Sequence, residues 1–164
     1  MSTSRTNPKR VLVVANETVA SDILHVAVRA RVHDDAESQV LVVAPALNSR
    51  LRYWVSDDDA ARRSAELRLE QCLARLAAVG VRAEGLVGDA DPVQAIDAVL
   101  RAFPADSLVI ATHPGGSSNW LARDLVGRVS ARFGLPITHI VVDDEERRET
   151  LASSSLGSAA AVAA

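Results

Sequence analysis

The sequence has very few of the side chains on which several kinds of site depend. Cys72 is the only cysteine, so no disulfide can form within the chain, and a cysteine-based metal site would lack ligands. Its surroundings, Leu69 to Leu76, have helical spacing, which indicates a thiol in the core. Lys9 is the only lysine among the 18 basic residues, and this nearly excludes a phosphate clamp built on lysine.

Long apolar runs are also absent. No stretch approaches the ~20 residues of a membrane span, and the polar segment 1–10 is followed by no apolar region that could act as a signal peptide. The net charge of −3 is too small to indicate a nucleic-acid or membrane partner. We therefore expect a cytoplasmic protein. Its 164 residues, 48% of them hydrophobic, suit one folded domain.

The apolar residues form five short runs separated by longer segments of helical period. Short runs rich in β-branched residues are typical of strands covered on both faces. Apolar residues spaced by three and four predict amphipathic helices. The predicted strands are 11–15, 40–44, 81–87, 108–111 and 137–142, and the helical segments between them are 19–30, 57–79, 91–100 and 120–133.

Particular residues mark the ends of these helices. Asp91 and Pro92 open the third helix as its cap and first-turn residue. Gly80 and Gly134 follow the second and fourth helices, where glycine commonly ends a helix. The predicted core faces are Val19, Ile23, Val26 and Ala30 in the first helix, Leu69, Leu73 and Leu76 in the second, Val93, Ile96, Val99 and Leu100 in the third, and Leu121, Leu125, Val129 and Phe133 in the fourth.

Alternation of strands and helices predicts an α/β fold with a doubly wound, open, parallel sheet. Right-handed crossovers place helices on both faces, and we expect the five strands in the order 3-2-1-4-5. The direction of winding then reverses between strands 1 and 4. Ligands of such sheets bind at the carboxyl ends of the strands at this switch point. The loops Asn16–Thr18 and Thr112–Asn119 are expected to meet there.

The loop after strand 4 is the candidate ligand site. Gly115 and Gly116 allow several N–H groups to turn toward one point, Ser117 and Ser118 add hydroxyl donors, and the following helix contributes the positive end of its dipole. These features predict an anion cradle. The alternative is a Pro-Gly-Gly turn followed by serine and asparagine capping. His113 is either a ligand or acid/base group, or a surface residue that forms hydrogen bonds.

Several segments together resemble the universal stress protein family over roughly residues 9–143. They are Val11–Thr18, Gly88–Pro92, the Thr-His sequence with its glycine-rich continuation, and Gly134–Val142. The resemblance implies a non-enzymatic binding or regulatory module with a Rossmann-like fold. In the family, strand 4 leads into Gly-x2-Gly-x9-Gly-(Ser/Thr), whose backbone and hydroxyl groups hold ATP phosphates. An Asp that contacts adenine in the family is matched here by Asn16.

The chain departs from that motif at several positions. Ala111 and Pro114 replace the first two glycines, and proline has no N–H to donate. Twelve residues, instead of nine, separate Pro114 from Gly127, and Arg128 replaces the Ser/Thr. A shifted cradle with ATP or AMP therefore competes with a ligand-free protein-interaction module. The candidate nucleotide-binding residues are Ala15, Asn16, Val43, Gly88, Thr112, His113, Gly115, Gly116, Ser117, Ser118, Gly127 and Arg128.

The resemblance also implies a homodimer that forms through the last strand. Its apolar edge would otherwise stay open to pairing. We expect the interface at Ile137, His139, Ile140, Val141 and Val142. An unidentified protein is a further expected partner.

The remaining polar clusters give no catalytic or metal site. Asp57–Asp59 favours a helix cap over a metal site, and His25 and His33 lack a third ligand. The aromatic and basic loop Asn48–Trp54 indicates a packed loop or a lid over the site. An ATP-hydrolysing or nucleotide-transferring enzyme is the least favoured alternative. We expect a disordered segment 1–8, a domain 9–143, and a charged stretch with a flexible tail 144–164.

Overall fold

Strands and helices alternate along the chain, as the sequence predicts. The computed structural model describes residues 9–15, 21–32, 37–46, 58–112 and 117–142. The strands are β1 (Arg10–Ala15), β2 (Gln39–Pro45), β3 (Ala83–Gly88), β4 (Ser107–Thr112) and β5 (Ile137–Val141), and the helices are α1 (Asp22–Val32), α2 (Asp58–Ala78), α3 (Pro92–Ala102) and α4 (Ser117–Phe133).

The strands form one parallel sheet in the order β3-β2-β1-β4-β5. This confirms the predicted fold class and strand order. β1 pairs with both β2 and β4, and Ala15 at its end lies opposite Ala111. The switch point therefore lies between β1 and β4, at the carboxyl edge of the sheet.

The side chains of β1 alternate between two apolar cores. Val11, Val13 and Ala15 belong to the core shared with α1 and α2. Leu12 and Val14 belong to the core shared with α3 and α4. Both faces of the central strands are therefore covered, which explains the continuous apolar runs inside these strands.

The predicted core face of α1 is wrong. Ile23 and Val26 are 53% and 64% exposed, whereas Leu24, His25 and Val28 are buried. The helix has apolar residues on both sides, so spacings of three and four fit two different faces. Contact with the sheet selects the face that carries Leu24 and Val28.

The other helices follow the prediction more closely. Val93, Ile96 and Val99 of α3 are buried, and Gly80 and Gly134 have the positive φ angles of 84° and 61° that follow many helix ends. The start of α4 differs, since this helix begins at Ser117 and not at Trp120. Ser117 to Asn119 are thus helical. Serine and asparagine are common at helix starts, so residue type alone did not separate them from the loop.

The two edge strands differ in what they expose. β3 is largely exposed and carries Glu84 and Leu86. β5 exposes Val141 at 51%, while Ile140 and Val142 beside it are buried in the core with α1 and α2. The side chain of Arg31 at the end of α1 contacts Thr138 Oγ1, which ties β5 to that helix.

Candidate functional site

The carboxyl ends of three strands carry candidate residues of the ligand site. Ala15, Gly88 and Thr112 are the last residues of β1, β3 and β4. Ala15 is buried and marks the switch point. Gly88 lies opposite Pro45, the last residue of β2. The structure therefore brings these residues to the edge at which open α/β sheets bind ligands.

Gly88 has a packing role in addition to its position at this edge. A Cβ atom at residue 88 would lie 2.7 Å from Ala95 Cβ and 3.0 Å from Val43 Cγ1. Ala95 Cβ is fixed to the backbone of α3 and cannot swing aside. Val43 itself is completely buried in the core. Glycine thus allows α3 to pack closely against the end of β3. Val43 takes part in this packing.

Arg128 is held by two carboxylates. Its guanidinium nitrogens lie 3.7 Å from Asp91 Oδ2 and 3.9 Å from Asp124 Oδ2. Asp91 is the N-cap of α3, and its Oδ1 accepts hydrogen bonds from the N–H groups of Val93 and Gln94. Arg128 therefore reaches the segment that follows Gly88. Its positive charge is already offset there, which weakens its attraction for a phosphate.

Gly127 lies inside α4 and is exposed, and a Cβ atom there would meet nothing within 4 Å. Its backbone N–H belongs to the interior of a helix, where amides are used by the helical hydrogen bonds. The family motif implies that a ligand closely approaches the backbone at this glycine. The position of Gly127 inside a helix does not provide that approach.

Both oxygens of Thr112 are bonded to the edge strand. Its Oγ1 lies 2.8 Å from His139 Nε2, and its carbonyl accepts a 2.7 Å hydrogen bond from the N–H of Val142. The donor in the first contact depends on the histidine tautomer. The contact joins the start of the candidate loop to the strand predicted to form the dimer interface.

Other predicted residues lie outside the described residues. Asn16, His113, Gly115, Gly116 and the loop Asn48–Trp54 belong to this group, as does His33. Ser117 and Ser118 are in the first turn of α4, and only their backbone is described. The nucleotide roles of all these residues stay predictions.

Three features of the described residues bear on metal and redox chemistry. Among the described residues, no group of three His, Cys, Asp or Glu side chains could hold a metal ion. Asp58 and Asp59 lie at the start of α2, which begins at Asp58, and Asp57 lies outside the described residues. Burial raises the pKa of the Cys72 thiol to about 11 against the opposing charge of Arg75. Such a thiol is a poor nucleophile at neutral pH.

A second group of charges ties α3 to α4. Arg132 donates to Asp97 Oδ1 at 3.1 Å, and Arg101 also pairs with this carboxylate. The hydrogen bond from Arg132 is the main cause that lowers the pKa of Asp97, with the neighbouring Arg101 charge acting in the same direction. This cluster is on the outer surface of the two helices and serves their packing.

The sequence did not predict two features near the carboxyl edge of the sheet. The partner of Thr112 is His139, and adjacent strand ends could have suggested it, since residues two positions apart on neighbouring strands share a face. The second is Ser21, a buried serine directly before α1. A serine followed by Asp22 is an ordinary helix-start signal, but its burial depends on tertiary packing.

The fold and the position of the candidate site define a doubly wound α/β domain of the class that binds ligands at the carboxyl edge of its sheet. A scan against protein-family models matches residues 7–133 to the universal stress protein family. The match covers more than half of the 164 residues. The chain belongs to the universal stress protein family.

Solved structures support the same fold. A universal stress protein family member from Burkholderia pseudomallei matches with a TM-score of 0.57 and 18% identity, over 80% of this chain and 95% of that one. One from Archaeoglobus fulgidus matches with a TM-score of 0.54 and 19% identity, over 81% and 98%. One from Arabidopsis thaliana, solved with AMP bound, matches with a TM-score of 0.52 and 16% identity, over 85% and 95%.

No curated protein matches this sequence significantly. In the part of the chain that the structure describes, no helix is both long enough and apolar enough to cross a membrane.

Proposed function

We propose that this chain is a non-enzymatic, homodimeric binding module of the cytoplasm that takes an adenine nucleotide, AMP or ATP, at the carboxyl edge of its sheet. The observation that carries the nucleotide proposal is the pairing of Ala15 with Ala111 at the switch point between β1 and β4, which leaves Thr112, the last residue of β4, at the same edge. In open α/β sheets this crevice is where ligands bind. The AMP-bound relative from Arabidopsis thaliana has the same fold, which supports the choice of ligand.

The homodimer proposal is supported by the exposed edge of β5. Among the described residues β5 pairs only with β4, so its outer backbone groups are available for a further strand. Val141 is half exposed on this edge. Pairing of β5 with the same strand of a second chain around a two-fold axis would cover it.

A ligand-free protein-interaction module is the second candidate. The observation that favours it is that several groups predicted to bind nucleotide are already bonded to, or packed against, other parts of the chain. Arg128 pairs with Asp91 and Asp124, both oxygens of Thr112 are bonded to β5, and Gly88 is explained by packing. This candidate predicts no nucleotide binding and a protein partner at the same edge.

Calorimetric titration of the purified full chain with ATP and AMP separates the two candidates. The first predicts saturable heat with at least one nucleotide, and loss of that heat in the double variant Gly115→Val/Gly116→Val. Bulky side chains there would block the backbone cradle that the sequence predicts. A control pair, Gly80→Asn and Gly134→Asn, changes glycines that follow helices outside the site and should keep the heat. No heat and no thermal shift with either nucleotide would leave only the second candidate.

A further inference from the structure

The start of α1 carries a buried hydroxyl group with no hydrogen-bond partner. Ser21 immediately precedes α1 and is 3% exposed. Its carbonyl accepts from the N–H of His25 at 3.4 Å, which is the pattern of an N-cap residue. Its Oγ is nevertheless unpartnered, as is that of Ser38 elsewhere among the described residues. An N-cap serine ordinarily accepts a hydrogen bond from the second or third amide of its helix.

Three hydrogen-bond donors are consequently near one another at this helix end. They are the Ser21 hydroxyl and the N–H groups of Ile23 and Leu24, which precede the first hydrogen bond of the helix. The positive end of the dipole of this 11-residue helix lies at the same place. A buried hydroxyl without a partner is costly, and an anionic oxygen would relieve that cost and accept from the amides.

The charges beside the helix start are compatible with an anion. Asp22 lies in the first turn, and its carboxylate would repel a phosphate. However, Asp22 Oδ1 is 3.4 Å from Arg75 Nη1 of α2. The guanidinium offsets the carboxylate charge, so the helix dipole and the hydroxyl are not opposed by a free negative charge.

The helix start also has the right place in the fold, because α1 follows β1 after the switch point. We propose that Ser21 and the N-terminus of α1 bind a phosphate group, either the phosphate of an adenine nucleotide or free inorganic phosphate. For the nucleotide, this inference rests on the function proposed above. It adds a phosphate contact at the start of α1 to the cradle that the sequence predicts after β4.

NMR titration of the full chain with inorganic phosphate, adenosine and AMP tests this assignment. Phosphate and AMP are expected to shift the amide signals of Ile23 and Leu24, and adenosine is expected to leave them in place. Ser21→Ala should weaken binding of phosphate and AMP at least about tenfold, as loss of a hydrogen bond to a charged group does. Adenosine affinity should not change. Ser21→Gly, which also suits an N-cap, should show the same loss.

Ser38→Ala is the matched control, since it removes the second unpartnered buried hydroxyl of the described residues, directly before β2 at the amino ends of the strands. It should bind every probe like the natural chain. Shifts with phosphate but no binding of adenosine or AMP would support the phosphate site and reject the nucleotide proposal. AMP binding that is equal in Ser21→Ala and the natural chain would overturn the phosphate site and keep the nucleotide proposal. No response of Ile23 and Leu24 to phosphate or AMP would also overturn it.

Discussion

Gly88 and Gly127 have opposite surroundings, although family resemblance gives both to the ligand site. The first is wedged between α3 and β2, and the second lies on the open surface of α4. Their substitution by alanine should therefore change stability in opposite directions. The added group is the same methyl in both variants.

Gly88→Ala is expected to lower the free energy of unfolding by about 1–3 kcal/mol, because its Cβ would press on Ala95 and force a backbone shift. Gly127→Ala should raise it by about 0.5–1 kcal/mol, since alanine is favoured over glycine inside a helix. Urea denaturation of both variants measures the two changes. An unchanged midpoint for Gly88→Ala would contradict the close packing of α3 on β3.

Residue types in the sequence predicted where a helix starts better than they predicted which side chains contact each other. Asp91 and Pro92 were predicted as a helix start from residue type, and Asp91 is the N-cap of α3. The ion pair of Arg128 with Asp91 could not be predicted, because these residues are 37 positions apart and their proximity depends on how α3 and α4 pack. The same holds for Thr112 and His139, which come from two strands. The pair of Arg128 with Asp124, four positions earlier on α4, follows from helical spacing.

At the scale of the elements, the start of α3 combines a cap with an ion pair. Asp91 Oδ1 accepts from Val93 N–H at 2.8 Å, while Oδ2 faces Arg128 at 3.7 Å. Asp91→Ala should lower the free energy of unfolding by about 1 kcal/mol through loss of the cap. Asp91→Asn keeps an acceptor and should cost less than about 0.5 kcal/mol, because the pair is partly exposed.

Thermal denaturation of both Asp91 variants separates the two contributions. Equal losses in Asp91→Ala and Asp91→Asn would mean that the ion pair, and not the cap, holds the start of α3. Arg128→Gln then gives an independent check, since it removes the pair without touching the cap.

The helices also show where periodicity is insufficient. In α3 the apolar residues occupy one side, and the predicted face was buried. In α1 they occupy two sides, and the prediction chose Ile23 and Val26, which are exposed. A pattern with two solutions is resolved only by the sheet against which the helix packs. The strands raised no such difficulty, because runs that are apolar on both faces suit only the interior of a parallel sheet.

At the scale of the whole molecule, alternating elements and right-handed crossovers indicated a doubly wound parallel sheet, and 3-2-1-4-5, the order expected for it, is the order observed. The predicted order was therefore confirmed in full. The ligand site was predicted less completely, because it is formed by the ends of strands that are distant along the chain. Its position follows from topology, but its donors depend on local geometry, as Ser21 illustrates.

The two edges of the sheet allow a matched test of the dimer. Val141→Lys places a charge on the exposed edge of β5, and in a two-fold pairing it would bring like charges together. We expect a shift from dimer to monomer in sedimentation velocity at micromolar concentration. Leu86→Lys on β3, the opposite edge, should leave the dimer intact. A natural chain that sediments only as a monomer under these conditions would exclude the homodimer.

Cys72 gives the molecule a practical property. The thiol is completely buried, and its pKa is about 11, so at pH 7 only about one molecule in ten thousand carries the thiolate. Maleimide fluorophores and spin labels should therefore leave the natural chain almost unmodified. A single cysteine introduced on an exposed surface would be labelled selectively, with no need to replace the natural one.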